Sequence, residues 1–289
     1  VVYGDTNSTL AGALAGAKLG LPVAHVEAGL RSFDRAMPEE VNRVIADHLS
    51  RWCLAPTPTA VANLAREGLT EGVVLVGDLM QDLAARLLPE IRDPAVLRPI
   101  AAELGAGGPV PALEPGRFLY ATIHRAENRA PAALRAWAGI MARSASVARP
   151  VILALHPGTR AALTEAGITL DPQVRVVPPV GYRTSLALQL HAAAVLTDSG
   201  GIQREAAWLG TPCLVLRATT EWREAVTGSG GSMVIVGLDA ARAAAAVRRL
   251  APAADAPGLA ATRAAGAVIA PAGAAAAIVD LLTTAVATG

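Results

Sequence analysis

The sequence predicts an α/β protein with two Rossmann-like lobes, the first incomplete at its N-terminus, and a ligand cleft between them. Short runs rich in Val, Leu and Ile alternate with longer stretches whose apolar residues recur at helical spacing. The short runs are apolar throughout, as expected for parallel strands covered on both faces. A segment dense in Gly and Pro, residues 105–115, follows four such runs and precedes six others, which places one lobe on each side of it.

Each predicted element follows from this alternation along the chain. Strands are predicted over residues 1–5, 22–28, 52–57, 72–78, 118–124, 150–156, 174–180, 193–199, 212–217 and 232–237. Helices are predicted over residues 6–20, 38–50, 58–68, 80–91, 94–104, 132–146, 159–167, 182–193, 201–209, 240–251 and 272–287. The first lobe then comprises residues 1–92 and the second residues 117–270, with a linker region at 93–116 and a final helix at 271–289.

The composition predicts a globular protein without nucleic-acid or membrane partners. Hydrophobic residues make up 53% of the chain, charged residues make up 17%, and the formal net charge is +1. Neither disorder nor a long-range field toward nucleic acid or anionic lipid is therefore expected. Arg, Asp, Glu or Pro interrupts every apolar run well short of a membrane span. Arg far outnumbers Lys, and we attribute this bias to a GC-rich genome and not to phosphate recognition.

Two features bear on the cellular setting and on the chain's start. Cys53 and Cys213 lie in apolar runs, so we expect buried thiols of a reducing, cytoplasmic compartment and neither a disulfide nor a metal site. The sequence opens on Val1, at what the pattern indicates is the end of a strand. Because a fold rarely begins there, we expect an N-terminal segment to precede Val1.

The clearest candidate site follows a predicted strand of the second lobe, since ligands of open α/β sheets bind at the carboxyl ends of strands. That strand ends at Asp198, the turn Ser199-Gly200-Gly201 follows, and a helix begins at once. The glycines let backbone N–H groups approach a ligand, and a helix N-terminus favours phosphate. Glu205, one turn into the helix, is placed to bind ribose hydroxyls. An ordinary N-cap with a glycine turn explains these residues equally well.

Three carboxylates converge on one edge of the sheet predicted for the first lobe. Asp5 ends the first strand, and Glu27 ends the second, where the period of two puts it on the same face as His25. Glu39 begins the next helix, directly after Pro38. Each carboxylate alone is better explained as a helix-start acid or an Arg partner. The three together favour acid/base chemistry.

Two histidines of the second lobe follow strands in the same way. His124 ends the first strand after the linker and is expected to face the cleft, and His156 has the equivalent place on the next strand. His48 and His191 lie in the middle of helices and are predicted to be structural, whereas residues 219–224 could line the cleft. The sequence has no dinucleotide fingerprint, Walker A lysine, nucleophile elbow or metal-ligand spacing, so neither cofactor nor metal is expected.

Together these motifs resemble the non-hydrolysing UDP-N-acetylglucosamine 2-epimerase family. The matching stretches occur in family order, at residues 4–9, 25–31, 37–43, 124–128, 155–157, 197–206 and 219–221. The resemblance implies a GT-B-like fold, a final helix that packs back on the first lobe, a homodimer, and regulation by UDP-GlcNAc. It also implies the interconversion of UDP-GlcNAc and UDP-ManNAc, in which UDP is eliminated across C1–C2 and then added back to a 2-acetamidoglucal.

The resemblance assigns roles to individual residues as well. Asp5, Glu27 and Glu39 resemble the carboxylates that transfer protons or support the transfer, and His124 resembles the histidine that stabilises the leaving phosphate. The binding residues that it implies are the diphosphate loop, the ribose contact and the remaining lining of the UDP site: Ser199, Gly200, Gly201, Glu205, His156, Val180 and Ser185.

Three departures from the family pattern widen the choice of function. The family has a longer N-terminal stretch with substrate-binding groups, so a protein that truly begins at Val1 is expected to be inactive. Trp222 replaces a phosphate-binding Arg of many members, with Arg223 as its substitute, and Trp here is typical of a branch acting on diacetamido-uronic acid UDP-sugars. A Gly-Asp-Gly near the end is degraded to residues 271–273. The alternatives are that related epimerase, a hydrolysing epimerase releasing ManNAc and UDP, a glycosyltransferase, and a UDP-sugar-binding sensor.

Overall fold

The computed structural model describes residues 1–105, 112–251, 263 and 272–287 of the chain. The chain forms two compact units. Residues 1–86 and the described residues 272–287 belong to the first unit, and the second unit begins at Leu87.

Strands and helices alternate along the described chain. The strands are β1 (Val2–Tyr3), β2 (Ala24–Val26), β3 (Trp52–Ala55), β4 (Val73–Leu75), β5 (Leu119–Ile123), β6 (Val151–Leu155), β7 (Val174–Val177), β8 (Ala194–Thr197), β9 (Cys213–Val215) and β10 (Met233–Ile235). The helices are α1 (Asn7–Lys18), α2 (Pro38–Leu49), α3 (Pro58–Arg66), α4 (Leu79–Ile91), α5 (Leu97–Gly105), α6 (Pro131–Ser144), α7 (Pro157–Glu165), α8 (Tyr182–His191), α9 (Gly200–Trp208), α10 (Arg223–Thr227), α11 (Ala240–Leu250) and α12 (Ala274–Ala287). Short 3₁₀ turns occur at Pro94–Val96 and Ala126–Arg129.

Within the described ranges, every predicted strand and helix is present, with ends that differ by a few residues. The sequence did not predict α10 or the two 3₁₀ turns. The expected linker region, 93–116, contains α5, which belongs to the second unit, and the chain passes from one unit to the other inside α4. Residues 106–111 of that region, and the degraded motif's residue 271, lie outside the described residues.

The first unit is a parallel sheet in the order β1-β2-β3-β4, with helices packed against it. Its core includes Val26 and Leu54 from the central strands and Ile278 from α12, all of them buried. Asp82 of α4 accepts hydrogen bonds from the backbone N–H groups of Gly273 and Ala275, at 2.9 Å each, and so holds the start of α12. The last described helix therefore packs on the first unit.

The second unit is a parallel six-stranded sheet in the order β10-β9-β8-β5-β6-β7. Numbered from β5, this is the Rossmann order 3-2-1-4-5-6, in which the direction of winding reverses between β5 and β8. Its central strands β5, β6, β8 and β9 are buried almost throughout, and the indole of Trp137 in α6 lies fully inside the core. Ligands of such sheets bind beyond the carboxyl ends of the strands at the reversal point.

No helix in the described part of the chain is both long enough and apolar enough to cross a membrane.

Candidate functional site

A cavity of about 270 Å³ opens in the second unit at the carboxyl ends of β5 and β6. It lies beside the reversal point of the sheet, where the Rossmann topology places ligands. The structure brings five of the sequence-predicted residues into its wall, together with five others: His124, His156, Val180, Ser185 and Ser199, with Tyr120, Thr122, Ala154, Pro179 and Ile202.

Asp198, directly after β8, organises the loop that follows β5. Its Oδ2 accepts hydrogen bonds from the N–H of Arg125 (3.0 Å) and the amide of Asn128 (2.8 Å). Its Oδ1 lies 3.1 Å from the backbone N of His124 and 2.9 Å from Nδ1 of that ring. The carboxylate is fully buried, whereas the His124 side chain is 47% exposed. Asp198 therefore fixes the orientation of a ring that lines the cavity.

The turn after Asp198 begins α9, as the sequence predicts. Ser199 is the N-cap and its Oγ accepts from the N–H of Ile202, at 3.5 Å. A Cβ added at Gly200 would collide with Oε1 of Glu221, and it would lie 3.1 Å from Nε1 of Trp222. Glycine is therefore required at this position by close packing. At Gly201 the nearest side-chain atoms would be 3.8 Å away, so close packing does not require glycine there.

Glu205 lies on the buried side of α9, one turn into the helix. Gln189 of α8 donates a hydrogen bond to its Oε2, and the same amide lies 3.4 Å from Oγ of Ser185. The hydroxyl of Tyr120 is 3.1 Å from that Oγ. Burial raises the pKa of Tyr120 to about 12, so the phenol stays a neutral hydrogen-bonding group. Glu205 and the wall of the cavity thus share one hydrogen-bond network.

Trp222 and Arg223 have different environments. Trp222 is buried and is the N-cap of α10, and the guanidinium of Arg204 stacks on its ring with 3.9 Å between guanidinium carbon and ring centroid. Such stacking is a cation–π contact. Arg223 is exposed at the start of α10 and is not among the residues that line the cavity.

In the first unit, Asp5 is held at the carboxyl end of β1 by α2. Arg43, which is almost fully buried, forms an ion pair with Asp5, and it also bonds Oε2 of Glu40 at 2.9 Å. Asn42 donates to the carbonyl of Asp5 at 2.9 Å. Glu39 lies one turn before Arg43 on the same face of α2, because residues four apart are neighbours on a helix. Glu39 therefore lies on the side of α2 from which Arg43 contacts Asp5.

Glu27 follows β2 in a left-handed backbone conformation, with φ +73°. A Cβ added at Gly4 would lie 3.5 Å from Oε2 of Glu27, so this carboxylate reaches the turn that carries Asp5. The expectation that Glu27 shares a face with His25 is wrong, because β2 ends at Val26 and the left-handed residue breaks the alternation. The structure does bring Asp5 and Glu27 to neighbouring strand ends.

His25 is fully buried and holds the first-unit turn in place. Its Nε2 is 2.8 Å from the carbonyl of Gly4, and its Nδ1 is 2.6 Å from Oδ1 of Asp47. Asp47 also bonds the N–H of Gly29 (3.1 Å) and the guanidinium of Arg31 (2.7 Å). His25 and Asp47 thus connect the ends of β1 and β2 to α2.

Sequence reasoning did not single out Asp47 or Gln189, and it did not foresee the contacts by which Arg43, Glu221 and Asp198 hold the site. The contacts that hold the site join residues far apart along the chain, such as Arg43 with Asp5 and Glu221 with Arg125, so no local pattern predicts them. Among the described residues, no group of three or more His, Cys, Asp or Glu side chains could hold a metal ion.

The comparison with known proteins bears on this geometry. Residues 1–282 match the sequence model of a family described as UDP-N-acetylglucosamine 2-epimerase. The chain belongs to this family. The predicted family is therefore confirmed, and the match extends over nearly the whole chain.

Individual epimerases resemble the chain closely in sequence. It is 43% identical over 241 residues to the UDP-2,3-diacetamido-2,3-dideoxy-D-glucuronate 2-epimerase of Pseudomonas aeruginosa, covering 82% of this chain and 63% of that protein. It is 39% identical over 244 residues to the UDP-N-acetylglucosamine 2-epimerase of Methanocaldococcus jannaschii, covering 82% and 64%. The chain thus spans less than two thirds of the length of these curated relatives.

Solved epimerase structures also match. The Methanocaldococcus jannaschii UDP-GlcNAc 2-epimerase in complex with UDP-GlcNAc and UDP gives a TM-score of 0.79 at 34% identity, covering 98% of this chain and 75% of that one. The Neisseria meningitidis UDP-GlcNAc 2-epimerase bound to UDP-GlcNAc gives 0.76 at 28% identity, covering 98% and 75%. These likenesses and the two parallel sheets confirm the predicted α/β fold with two Rossmann-like lobes.

Proposed function

We propose that this protein interconverts UDP-GlcNAc and UDP-ManNAc by C2 epimerisation, through elimination and re-addition of UDP. Family membership supports the reaction class, and the structural neighbours that bind UDP-GlcNAc support the ligand. The proposal assigns binding of the nucleotide to the second unit and proton transfer to the first.

In this proposal the cavity of the second unit receives UDP. The N-terminus of α9, with Ser199, Gly200 and Gly201, binds the diphosphate, because backbone N–H groups and the helix dipole favour anions there. Glu205 binds the ribose hydroxyls, and the base lies against the lining formed by Val180, Ser185 and His156. Arg223, exposed at the start of α10, is assigned to the phosphates as the substitute for the missing Arg.

The carboxylates of the first unit carry the acid/base chemistry. One carboxylate removes the C2 proton, the C2–H electrons form the C1–C2 double bond, and the C1–O bond breaks with its electron pair leaving on UDP. In the return step, UDP adds to C1 while a proton reaches C2 from the opposite face. Asp5, Glu27 and Glu39 supply the groups for both faces, and His124 stabilises the leaving phosphate. General acid/base groups contribute about 10²–10⁴-fold to such steps.

The observation that carries the proposal is the conformation of Glu27. A non-glycine residue at φ +73° costs on the order of 1–3 kcal/mol and persists only where its surroundings enforce it. Here, the buried pair of His25 and Asp47 holds the adjoining turn. A strained backbone that positions a carboxylate is typical of catalytic sites. Binding of UDP by the second unit alone would not require such a carboxylate in the first unit.

A second candidate substrate is a UDP-linked diacetamido-uronic acid. The Pseudomonas aeruginosa relative carries that name at 43% identity. Trp222 also favours this branch, since its buried, stacked ring cannot serve as the phosphate-binding Arg of the other members.

Proton NMR in deuterium oxide tests the proposal, using the protein expressed from its complete gene and each of the two UDP-sugars in turn. Epimerisation of UDP-GlcNAc predicts deuterium at C2 in recovered UDP-GlcNAc and in UDP-ManNAc. Exchange in the diacetamido-uronic acid alone would assign the second candidate. Free ManNAc would indicate a hydrolysing epimerase, and absence of exchange in both substrates would contradict epimerase function and leave a glycosyltransferase or a sensor.

Three further properties are proposed: a homodimer and regulation by UDP-GlcNAc, which rest on the family resemblance, and a cytoplasmic location, which rests on the free thiols of Cys53 and Cys213. Sedimentation analysis of the complete protein tests the first. Regulation by UDP-GlcNAc is tested by measuring the conversion of UDP-ManNAc to UDP-GlcNAc with and without added UDP-GlcNAc. If UDP-GlcNAc is an activator, small added amounts of it should raise the rate of this conversion. Localisation of a tagged, active protein tests the third.

A further inference from the structure

The contacts of Asp198 determine which nitrogen of His124 carries a proton. An ionised carboxylate only accepts hydrogen bonds, and neutral imidazole donates from one nitrogen and accepts at the other. Because Oδ1 of Asp198 lies 2.9 Å from Nδ1 of His124, the proton of a neutral ring belongs on Nδ1. The opposite edge of the ring, with Nε2, is then the acceptor.

The charge state of Asp198 supports this assignment. Burial raises the pKa of this carboxyl, but the hydrogen bonds from His124, Asn128 and Arg125, together with the charge of the His124 ring when it is protonated, outweigh burial and leave the pKa below its ordinary value. The carboxylate is therefore ionised at neutral pH. Its Oδ1 faces Nδ1 of His124, its Oδ2 accepts from Arg125 and Asn128, and both oxygens accept from the backbone N–H of His124.

We propose that Asp198 is a positioning residue that fixes the Nδ1–H tautomer of His124 and makes Nε2 the atom that exchanges a proton with the departing UDP. The proton exchange at Nε2 rests on the proposed function, whereas the tautomer of His124 rests only on its contact with Asp198. Asp198 does not touch substrate in this proposal. It acts through the ring, which lines the cavity and is about half exposed.

When the C1–O bond breaks, its electron pair goes to the phosphate oxygen of UDP, and the Nε2–H of an imidazolium donates its proton to that oxygen. The ring returns to the neutral Nδ1–H form, still bonded to Asp198. On re-addition, Nε2 takes the proton back as the oxygen bonds to C1, and Asp198 stabilises the cation that forms. Nδ1 keeps its proton throughout.

Replacing Asp198 by Asn should invert the tautomer for a geometric reason. An amide has one oxygen, and Oδ2 faces the backbone N–H of Arg125, which can never accept, and the NH₂ of Asn128. The backbone N–H of His124 lies 3.1 and 3.2 Å from the two oxygens and so does not distinguish between them. The amide oxygen is expected on that side, which turns its NH₂ toward Nδ1 of His124. Nδ1 must then accept, and the proton moves to Nε2.

Nitrogen-15 NMR of the histidine rings tests the inference on the whole protein, with His124→Gln used to assign the resonance. In the wild type, the neutral ring of His124 is expected to show a protonated Nδ1, and UDP should shift Nε2. Asp198→Asn should invert this pattern and lower kcat by about 100-fold or more, the lower bound of an acid/base contribution, with UDP affinity changed by only a few fold.

A matched control is Asn128→Ser, which removes a donor to the same carboxylate but leaves the Oδ1–Nδ1 contact. Its His124 tautomer should stay as in the wild type. A protonated Nε2 in the neutral wild-type ring would overturn the inference even if Asp198→Asn fails to fold. A correct tautomer in a protein without C2 exchange would support the positioning contact and refute the proposed function instead.

Discussion

The packing around Gly200 leads to a prediction that depends on structure alone. Replacing Gly200 with Ala places a methyl group against Oε1 of Glu221 and 3.1 Å from the indole nitrogen of Trp222. Neither neighbour can yield easily. Glu221 is buried and is held by Arg217 at 2.8 Å and Arg125 at 3.4 Å, and Trp222 is buried beneath a stacked guanidinium.

The expected cost lies in the upper part of the range for overpacking, about 2–3 kcal/mol. For a unit of 150–250 residues, each kcal/mol shifts Tm by about 2–4 °C, so Gly200→Ala should lower Tm by roughly 4–12 °C. The matched control is Gly201→Ala in the same turn, where the nearest contacts would be 3.8 and 3.9 Å. Its backbone is not left-handed, so it should gain about 0.4–1 kcal/mol from reduced unfolded-state entropy.

Thermal unfolding of the three proteins, followed by circular dichroism and calorimetry, measures both shifts. Gly200→Ala should melt below the wild type, and Gly201→Ala should melt at the wild-type temperature or above it. Equal melting temperatures for the two variants would refute the packing argument, because the contacts of the added methyl group with Glu221 and Trp222 would then have no effect on stability.

Four further outcomes are expected. Glu27→Gln keeps the side chain's shape but removes the base, so it should lower kcat at least about 100-fold with little change in UDP affinity; wild-type turnover would exclude a proton-transfer role. Ser199→Ala should mainly weaken UDP binding measured by calorimetry, and an effect on turnover alone would contradict the diphosphate assignment. Burial raises the pKa of Cys53 and of Cys213 to about 12, so both thiols should react with a thiol reagent only as the protein unfolds. Hydrogen bonds from a buried arginine lower the pKa of Glu67, so the stability lost in Glu67→Gln at neutral pH should begin to shrink below about 4.3, the unfolded value, and vanish as pH falls through the lower folded pKa, in acid-dependent unfolding.

Much of the fold could be predicted because strands that are buried on both faces appear in the sequence as short, continuous apolar runs. Runs of apolar residues bounded by turn residues located every strand, and the helical stripes between them located the long helices. The helix α10 was missed because five residues are too few to show a period, and its N-cap, Trp222, makes no capping side-chain bond.

The candidate site could be predicted only where its residues follow strands directly. His124, His156 and Ser199 follow β5, β6 and β8, and the structure places all three on one cavity. Their roles in binding UDP stay predictions. The structure adds what such positions cannot reveal, namely which group holds each of them.

The residues that hold the site could not be predicted from the sequence because the partners of their hydrogen bonds and ion pairs lie far away along the chain. Asp198 was taken only as a strand end, yet its oxygens accept hydrogen bonds from residues 70 and 74 positions earlier. Arg43 reaches Asp5 across 38 positions, and Asp47 reaches His25 across 22. The position of Glu27 was misjudged for a local reason, since alternation predicts a face only while the strand continues.

The central claim is that UDP leaves and returns while C2 inverts, and positional isotope exchange tests it most directly. UDP-GlcNAc carrying a heavy oxygen isotope in the bridge between C1 and the β-phosphate is incubated with the complete protein, and the recovered substrate is examined by phosphorus NMR. The account predicts that the label moves into non-bridging positions as the freed phosphate rotates before re-addition. Deuterium entering C2 while the label stays in the bridge would contradict it.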